Sequence, residues 1–501
     1  MKKPLILVIR IVSFAISFFI EIGTMIIGLL SLVVAFFNVR TQLVVPRLIS
    51  LFLPFSLFGT LIWSFYFWVF DRFRRFHVHL MGSTGSGKSS LLLYLIYRDI
   101  LKGNNGLAII EPHSQLISHV LYLKILQLDH KSKLYKKVIL LDFEDENPPA
   151  LNLFAIKLPA SNQKRRIYIN AVVQNYLEAF LKGFGGEMPK GVERVLKNVL
   201  TVLFFLPGAT IIDTLDILRA KQSLPIKYTR LFENIEDEVL KKYFEDDFFS
   251  SRSEISKEVL RLRLEHLLTD PQIKSSFSQK SNILCIDEAL REGKIILVKA
   301  GRSLGKNTSM FIGALVFQLI LFSGFKRIKL KNKKSFTIYL DECQNFMSQD
   351  ICTALEELRK ANISVVLSHQ RSRQTGMSWD QWQSLNSCGV KIYGRIADFY
   401  DAYRISRQML MPKLENRFVN LRTGEFYAKA GNWKARFIKI PKSFTLAPNL
   451  MGKTKHRMFA KEESVQKLIK YLKKKIRYPI EPKQVTPDKS KLSNYSIDYD
   501  L

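Results

Sequence analysis

The chain is 501 residues long and 47% hydrophobic, with 76 Lys and Arg against 44 Asp and Glu, a formal net charge of +32. This length and apolar content exclude a purely disordered basic tail and leave room for two or three domains. The charge excess favours polyanionic partners, nucleic acid or acidic lipid, unless it reflects a Lys-rich source proteome, and the four cysteines, Cys285, Cys343, Cys352 and Cys388, lack the spacing of a zinc site and suit a reducing cytosol without a disulfide framework.

Residues 48–70 contain no charge, carry Trp63, Tyr66 and Trp68 near their end, and lead into Arg72, Arg74 and Arg75. Length and flanks predict a transmembrane helix. Residues 11–37 are also apolar but include Glu21, which is costly in lipid unless protonated or paired, so it faces a neighbouring helix or the span shifts to 22–39. Together they predict a transmembrane hairpin with a short linker over residues 1–76.

A short strand from His77 to Met81 then opens onto Gly82, Ser83, Thr84, Gly85, Ser86, Gly87, Lys88, Ser89 and Ser90. The glycines let backbone N–H groups close around phosphate oxygens, Lys88 reaches the terminal phosphates, and Ser89 ligates Mg²⁺. The Leu-rich helix that follows points its positive end at a nucleotide. The motif therefore predicts ATP and Mg²⁺ as cofactors, and it decides the hairpin's orientation. Arg40 and Arg47 in the connecting loop argue mildly for the reverse, but an ATP site belongs in the cytoplasm, so the expectation is a two-pass protein of the cytoplasmic (inner) membrane with both termini inside.

Strands at 107–110 and 138–141 end in Glu111 and Asp142, the alternating pattern of a parallel sheet covered on both faces. From 161 to 288 the periodicity turns helical, with apolar stripes over 167–182, 192–205, 211–219, 238–248 and 255–268. This predicts an all-helical insertion domain, 161–288, between two parts of a nucleotide-binding domain, 77–160 and 289–440. The second part resumes with a strand at 294–298, a helix over 308–325, and Phe336, Thr337, Ile338, Tyr339 and Leu340 running into Asp341 and Glu342. An apolar strand ending in adjacent acids suits Mg²⁺ coordination by Asp341, partly through water, and polarisation of the attacking water by Glu342. A helix over 351–361 and a strand at 364–367 follow, with Gln370 just beyond as the sensor of the terminal phosphate; 391–394 and 424–428 read as later strands. Residues 441–501 form a basic tail, helical over 462–476 and lacking apolar periodicity after 482. Its run Lys473, Lys474, Lys475, Ile476, Arg477 either touches DNA or lipid or is a solvated helix end.

The order of these features resembles the type IV secretion coupling proteins, the TraD/TraG-like conjugative DNA-transfer ATPases of the HerA/FtsK P-loop superfamily. The resemblance spans about residues 77 to 440 and adds Glu111-Pro112-His113, Asn152-Leu153-Phe154, Leu358-Arg359-Lys360 and Ser368-His369-Gln370 to the two ATPase motifs. It implies an α/β, RecA-like P-loop NTPase domain bearing the helical domain, assembled as a homo-hexamer around a non-specifically bound, single-stranded DNA path. ATP then lies between subunits and Arg359 reaches the phosphate bound by the next copy, with Arg395 the second choice. Arg359 pairing with Glu356 or Glu357 on its own helix is the alternative. Lys88, Asp341, Glu342, Gln370, Arg359 and Glu111 are the implied catalytic set, and secretion-channel proteins, relaxase-like cargo and membrane lipid the implied partners. The chain departs from the family at Glu111-Pro112-His113-Ser114, where Asp-Pro-His-Gly is common.

Two other functions fit the same residues: a HerA-like DNA-packaging or processing motor at a membrane, and a cargo-docking receptor in which nucleotide acts as a switch with little motor activity.

Overall fold

The computed structural model describes residues 72–103, 105–229, 231–232, 235–282, 284–347, 351–371, 378–413, 415–445 and 458–476. The two apolar segments of the expected hairpin, the last residues of the basic tail and Cys352's side chain lie outside them.

Among the described residues nine strands form one sheet: β1 (Val78–Met81), β2 (Gly106–Glu111), β3 (Val138–Asp142), β4 (Ile295–Lys299), β5 (Phe336–Leu340), β6 (Ile363–His369), β7 (Val390–Tyr393), β8 (Glu425–Ala430) and β9 (Arg436–Lys439). Their order is β3-β4-β2-β5-β6-β1-β7-β8-β9. β1 to β7 are parallel, and β8 and β9 return antiparallel. Strands β1, β2, β5 and β6 are buried along their whole length, which is why they read as mainly apolar runs and not as alternating ones, with His79, Thr337, Ser364, Ser368 and His369 buried among them. This order sets β6 between β1 and β5, so the ends of three neighbouring strands deliver the phosphate loop, Gln370 and the Asp341-Glu342 pair to one edge.

Helices cover both faces. Between β3 and β4 the described chain holds helices and no strand, the longest being α1 (Asn162–Gly183), α2 (Lys190–Leu203) and α3 (Ser251–Leu267). On α2, Val192, Val195, Leu196, Val199, Leu200 and Leu203 are buried at three- and four-residue spacing. This helical layer shares a continuous apolar core with the sheet. Its α1 lies along α4 (Lys306–Lys326), with Phe180 against Phe311 at 4.8 Å between ring centroids and Tyr168 against Phe322 at 5.0 Å. The α4 region is long and apolar enough to cross a membrane by length and composition, but 78% of its most apolar window is buried, as the central helix of this core. Asn152 joins the layers: its side chain donates to the Ala209 carbonyl at 2.8 Å and accepts the Phe154 N–H at 2.7 Å.

The C-terminal helix α5 (Glu462–Ile476) packs against β3 and the segments flanking it. Leu468 and Leu472 are buried and Tyr471 meets Tyr135 edge-on at 5.4 Å. Lys473 pairs with Asp145 and Asp142, and Lys475 donates to the Lys136 carbonyl at 2.9 Å. Both lysines are therefore spent covering the edge strand β3, whose unpaired backbone is otherwise open to another chain. Of the run, Lys474 and Lys475 are exposed, and Arg477 lies outside the described residues.

Candidate functional site

The phosphate loop spans 82–89 between β1 and the helix Lys88–Leu101. Gly87 sits at φ 93°, the left-handed region that only glycine enters cheaply, and a Cβ there would meet the Gly424 nitrogen at 2.9 Å. The helix it starts is 14 residues long and has no side-chain cap, so its first N–H groups and its positive end face the loop. Ser86 Oγ is buried and has no hydrogen-bond partner among the described residues. An uncapped helix terminus and a stranded hydroxyl inside a glycine-rich turn fit phosphate oxygens.

The charged groups converge as the strand order requires. Lys88 Nζ donates to the Gly82 carbonyl at 2.9 Å and lies 3.9 Å from Glu342 Oε1. Glu342 is itself held at φ 52°. Its Oε1 accepts the Gln370 amide at 2.6 Å and its Oε2 the Gln344 amide at 2.9 Å. Gln370 Oε1 accepts the Thr84 hydroxyl at 3.2 Å, closing a circuit from the acid back to the phosphate loop. Burial raises the Asp341 carboxyl above its usual range, Glu342 adds to this, and Lys88 opposes it. Burial lowers the Lys88 ammonium, while Glu342 and Asp341 pull it back up. A cation and two acids that each pay for desolvation are balanced against one another, as suits a site awaiting a charged ligand. Ser89 and Asp341 would hold Mg²⁺, which supplies charge neutralisation at phosphate oxygens.

Glu111 has a structural task that its sequence did not show. Its Oε1 accepts the Ile117 N–H at 2.8 Å at the start of the helix Gln115–Leu121, and burial, with Asp341 adding, pushes its carboxyl up to about 8. The folded chain therefore takes up a proton at Glu111 that the unfolded chain has released above its ordinary value of 4.5, so stability declines as pH rises from about 4.5 to 8. Replacing Glu111 with Gln, which keeps the oxygen for Ile117, flattens the curve of urea midpoint against pH across that window; an unchanged slope would mean that Glu111 titrates normally.

Arg359 lies at the exposed end of the helix Ile351–Lys360, and among the described residues it makes no hydrogen bond to its own phosphate loop. Glu357 is taken by Lys360 at 2.5 Å. Arg395 is turned onto its own loop: its Nη2 donates to the Thr84 carbonyl at 3.2 Å, and its carbonyl accepts from Ser83 N–H at 2.8 Å. A cleft of about 860 Å³ opens there, lined by Ser83, Thr84, Gln370, Arg371, Arg395 and Asp398.

Thr423 and Gly424 join the site without any signal in the sequence. Thr423 Oγ1 donates to the Gly85 carbonyl at 2.8 Å and Gly424 N–H to the Ser86 carbonyl at 2.9 Å, so the turn before β8 clamps the phosphate loop. No local motif announces a contact made across more than three hundred residues.

The sheet order, with a strand between the phosphate-loop strand and the acidic strand, makes this a mostly parallel α/β fold built around a phosphate-binding loop. Within that class the chain has the fold of the conjugative coupling protein TrwB. The structure of plasmid coupling protein TrwB in complex with ADP and Mg²⁺ matches with a TM-score of 0.53 and 16% identity, over 79% of this chain and 89% of that one. TrwB with the non-hydrolysable ATP analogue ADPNP matches at 0.52 and 16%, over 74% and 86%. The unbound TrwB lacking its N-terminal segment matches at 0.52 and 14%, again over 74% and 86%. No family model matches the sequence, and no curated protein does.

Proposed function

We propose that this chain is a membrane-anchored, ATP-driven DNA translocase, the coupling protein of a conjugative or type IV secretion system, which brings DNA or a DNA–protein complex to the channel. The observation that carries the reading is the closed circuit of Lys88, Glu342, Gln370 and Thr84. It joins phosphate grip, water activation and phosphate sensing in one bonded unit, and the shared TrwB fold, solved with ADP and Mg²⁺, supports nucleotide as its ligand.

In this mechanism Lys88 and the helix terminus neutralise the phosphates, Glu342 aligns and deprotonates water, and Asp341 keeps the Mg²⁺ side of the site negative. When a terminal phosphate is present, Lys88 exchanges Gly82 and Glu342 for phosphate oxygens. Glu342 is then released to water, while Gln370, bonded to both Glu342 and Thr84, registers whether that phosphate is there. Arg359 from an adjacent copy in a hexameric ring completes the charge around it. The hairpin of residues 1–76 anchors the ring at the inner face of the cytoplasmic membrane.

The test is ATP hydrolysis by the full chain with and without single-stranded DNA over a salt series. DNA stimulates turnover, and raising salt from 50 to 200 mM weakens the DNA dependence by roughly two to three orders of magnitude for about six phosphate contacts. Nucleotide-dependent DNA binding without turnover would instead favour the docking receptor.

A further inference from the structure

Residues 74–77 precede β1, and three of their side chains each engage a different part of the site. The buried Arg74 donates from Nη1 and Nη2 to Asp99 at 3.0 and 2.8 Å, and from Nη2 to the Tyr339 hydroxyl at 2.8 Å. Asp99 belongs to the helix that Lys88 begins, and Tyr339 stands two residues before Asp341. His77 takes φ 65° between two further elements. Val365 N–H donates to its Nδ1 at 3.0 Å, so the ring proton is on Nε2, which donates to the Leu355 carbonyl at 2.6 Å. Val365 is on the strand that leads to Gln370, and Leu355 is on the helix that carries Arg359. Between them the Phe76 carbonyl accepts the Gly389 N–H at 2.6 Å, and the Phe76 ring lies 4.0 Å from the guanidinium carbon of Arg359.

We propose that Phe76 is the positioning residue for Arg359, setting the guanidinium in the pose from which it reaches the phosphate of the adjacent subunit. This rests on the reading of Arg359 as an arginine supplied between copies. An exposed arginine on a helix end samples many rotamers. A ring against the guanidinium face removes most of them, yet leaves the in-plane N–H fork open for phosphate oxygens. The ring is in turn fixed by the neighbours that lock Lys88's helix, the Asp341 strand and the Gln370 strand. Three residues of the segment 74–77 thus keep the outward-facing arginine in register with the inward-facing site, and they begin four positions after the apolar segment 48–70.

The experiment measures steady-state ATP hydrolysis and separate nucleotide-binding affinity for the full chain and for Arg359→Ala, Phe76→Leu, Phe76→Tyr and the Phe76→Leu/Arg359→Ala double variant. Arg359→Ala lowers kcat by about a thousandfold with nucleotide affinity retained. Phe76→Leu lowers kcat by roughly tenfold at unchanged affinity, Phe76→Tyr restores it to within about twofold, and the double variant is no slower than Arg359→Ala alone. Additive losses in the double variant, or a Phe76→Tyr protein as slow as Phe76→Leu, would overturn the positioning role while leaving the arginine's own role standing. Full activity of Arg359→Ala would remove the reading beneath it, whatever the Phe76 variants do. Retained nucleotide affinity shows that each variant has folded.

Discussion

Lys88→Ala abolishes nucleotide turnover, by at least about a thousandfold, and weakens nucleotide affinity as well. Lys88 starts the helix at the phosphate loop and lies 3.9 Å from Glu342, so both the bound phosphates and the transition state lose its compensating charge. The substitution also has a stability signature with a definite sign. The Asp341 carboxyl is already raised by burial and by Glu342, with Lys88 opposing. Removing Lys88 raises it further, so the folded state holds its proton more tightly and the variant loses stability relative to wild type as pH rises above the ordinary carboxylate value of 3.8. Hydrolysis assays and melting curves at pH 5.5 and 8 check both parts. A Lys88→Ala protein with wild-type turnover would end the assignment of the loop as a catalytic phosphate site.

What could be read from the amino acids depended on how local the cause was. Positions 82–89 were legible because a tight turn, a close backbone approach and a helix start all leave their mark within eight residues. β2, β5 and β6 were legible because strands buried on both faces are apolar over most of their length and do not alternate. β9 was not: among Arg436, Phe437, Ile438 and Lys439 only Ile438 is buried, and it is its pairing with β8 that makes a strand of them. The helix Trp379–Asn386 does leave a local mark, the reciprocal capping box of Ser378 and Gln381. Arg395 depended on strand order, since only the placement of β7 beside β1 brings it onto Thr84. The same applies to Lys473 and Lys475, whose partners on β3 and the turns flanking it are more than three hundred residues away. Local chemistry thus predicted what the site contains, and topology decided which residues surround it.

Glu342→Gln separates nucleotide binding from hydrolysis, and it does so with little change of shape. The glutamine can still accept one of the two amides that Glu342 holds, from Gln370 at 2.6 Å and Gln344 at 2.9 Å. The left-handed backbone at φ 52° is strained for either residue alike. What disappears is the charge. Without a carboxylate to take its proton, the attacking water loses about two to four orders of magnitude in rate, the usual range for removal of a positioned general base. Lys88 loses its 3.9 Å partner and is drawn more strongly to phosphate, so affinity for ATP is retained or improved. Asp341 loses a neighbouring like charge, its carboxyl moves down toward the ordinary range, and the folded state gains stability at neutral pH from that source. Equilibrium binding of ATP set beside single-turnover hydrolysis decides the matter. If Glu342→Gln hydrolyses ATP at the wild-type rate, water is activated elsewhere; if it no longer binds ATP, Glu342 belongs to the grip on the nucleotide and not to the chemistry.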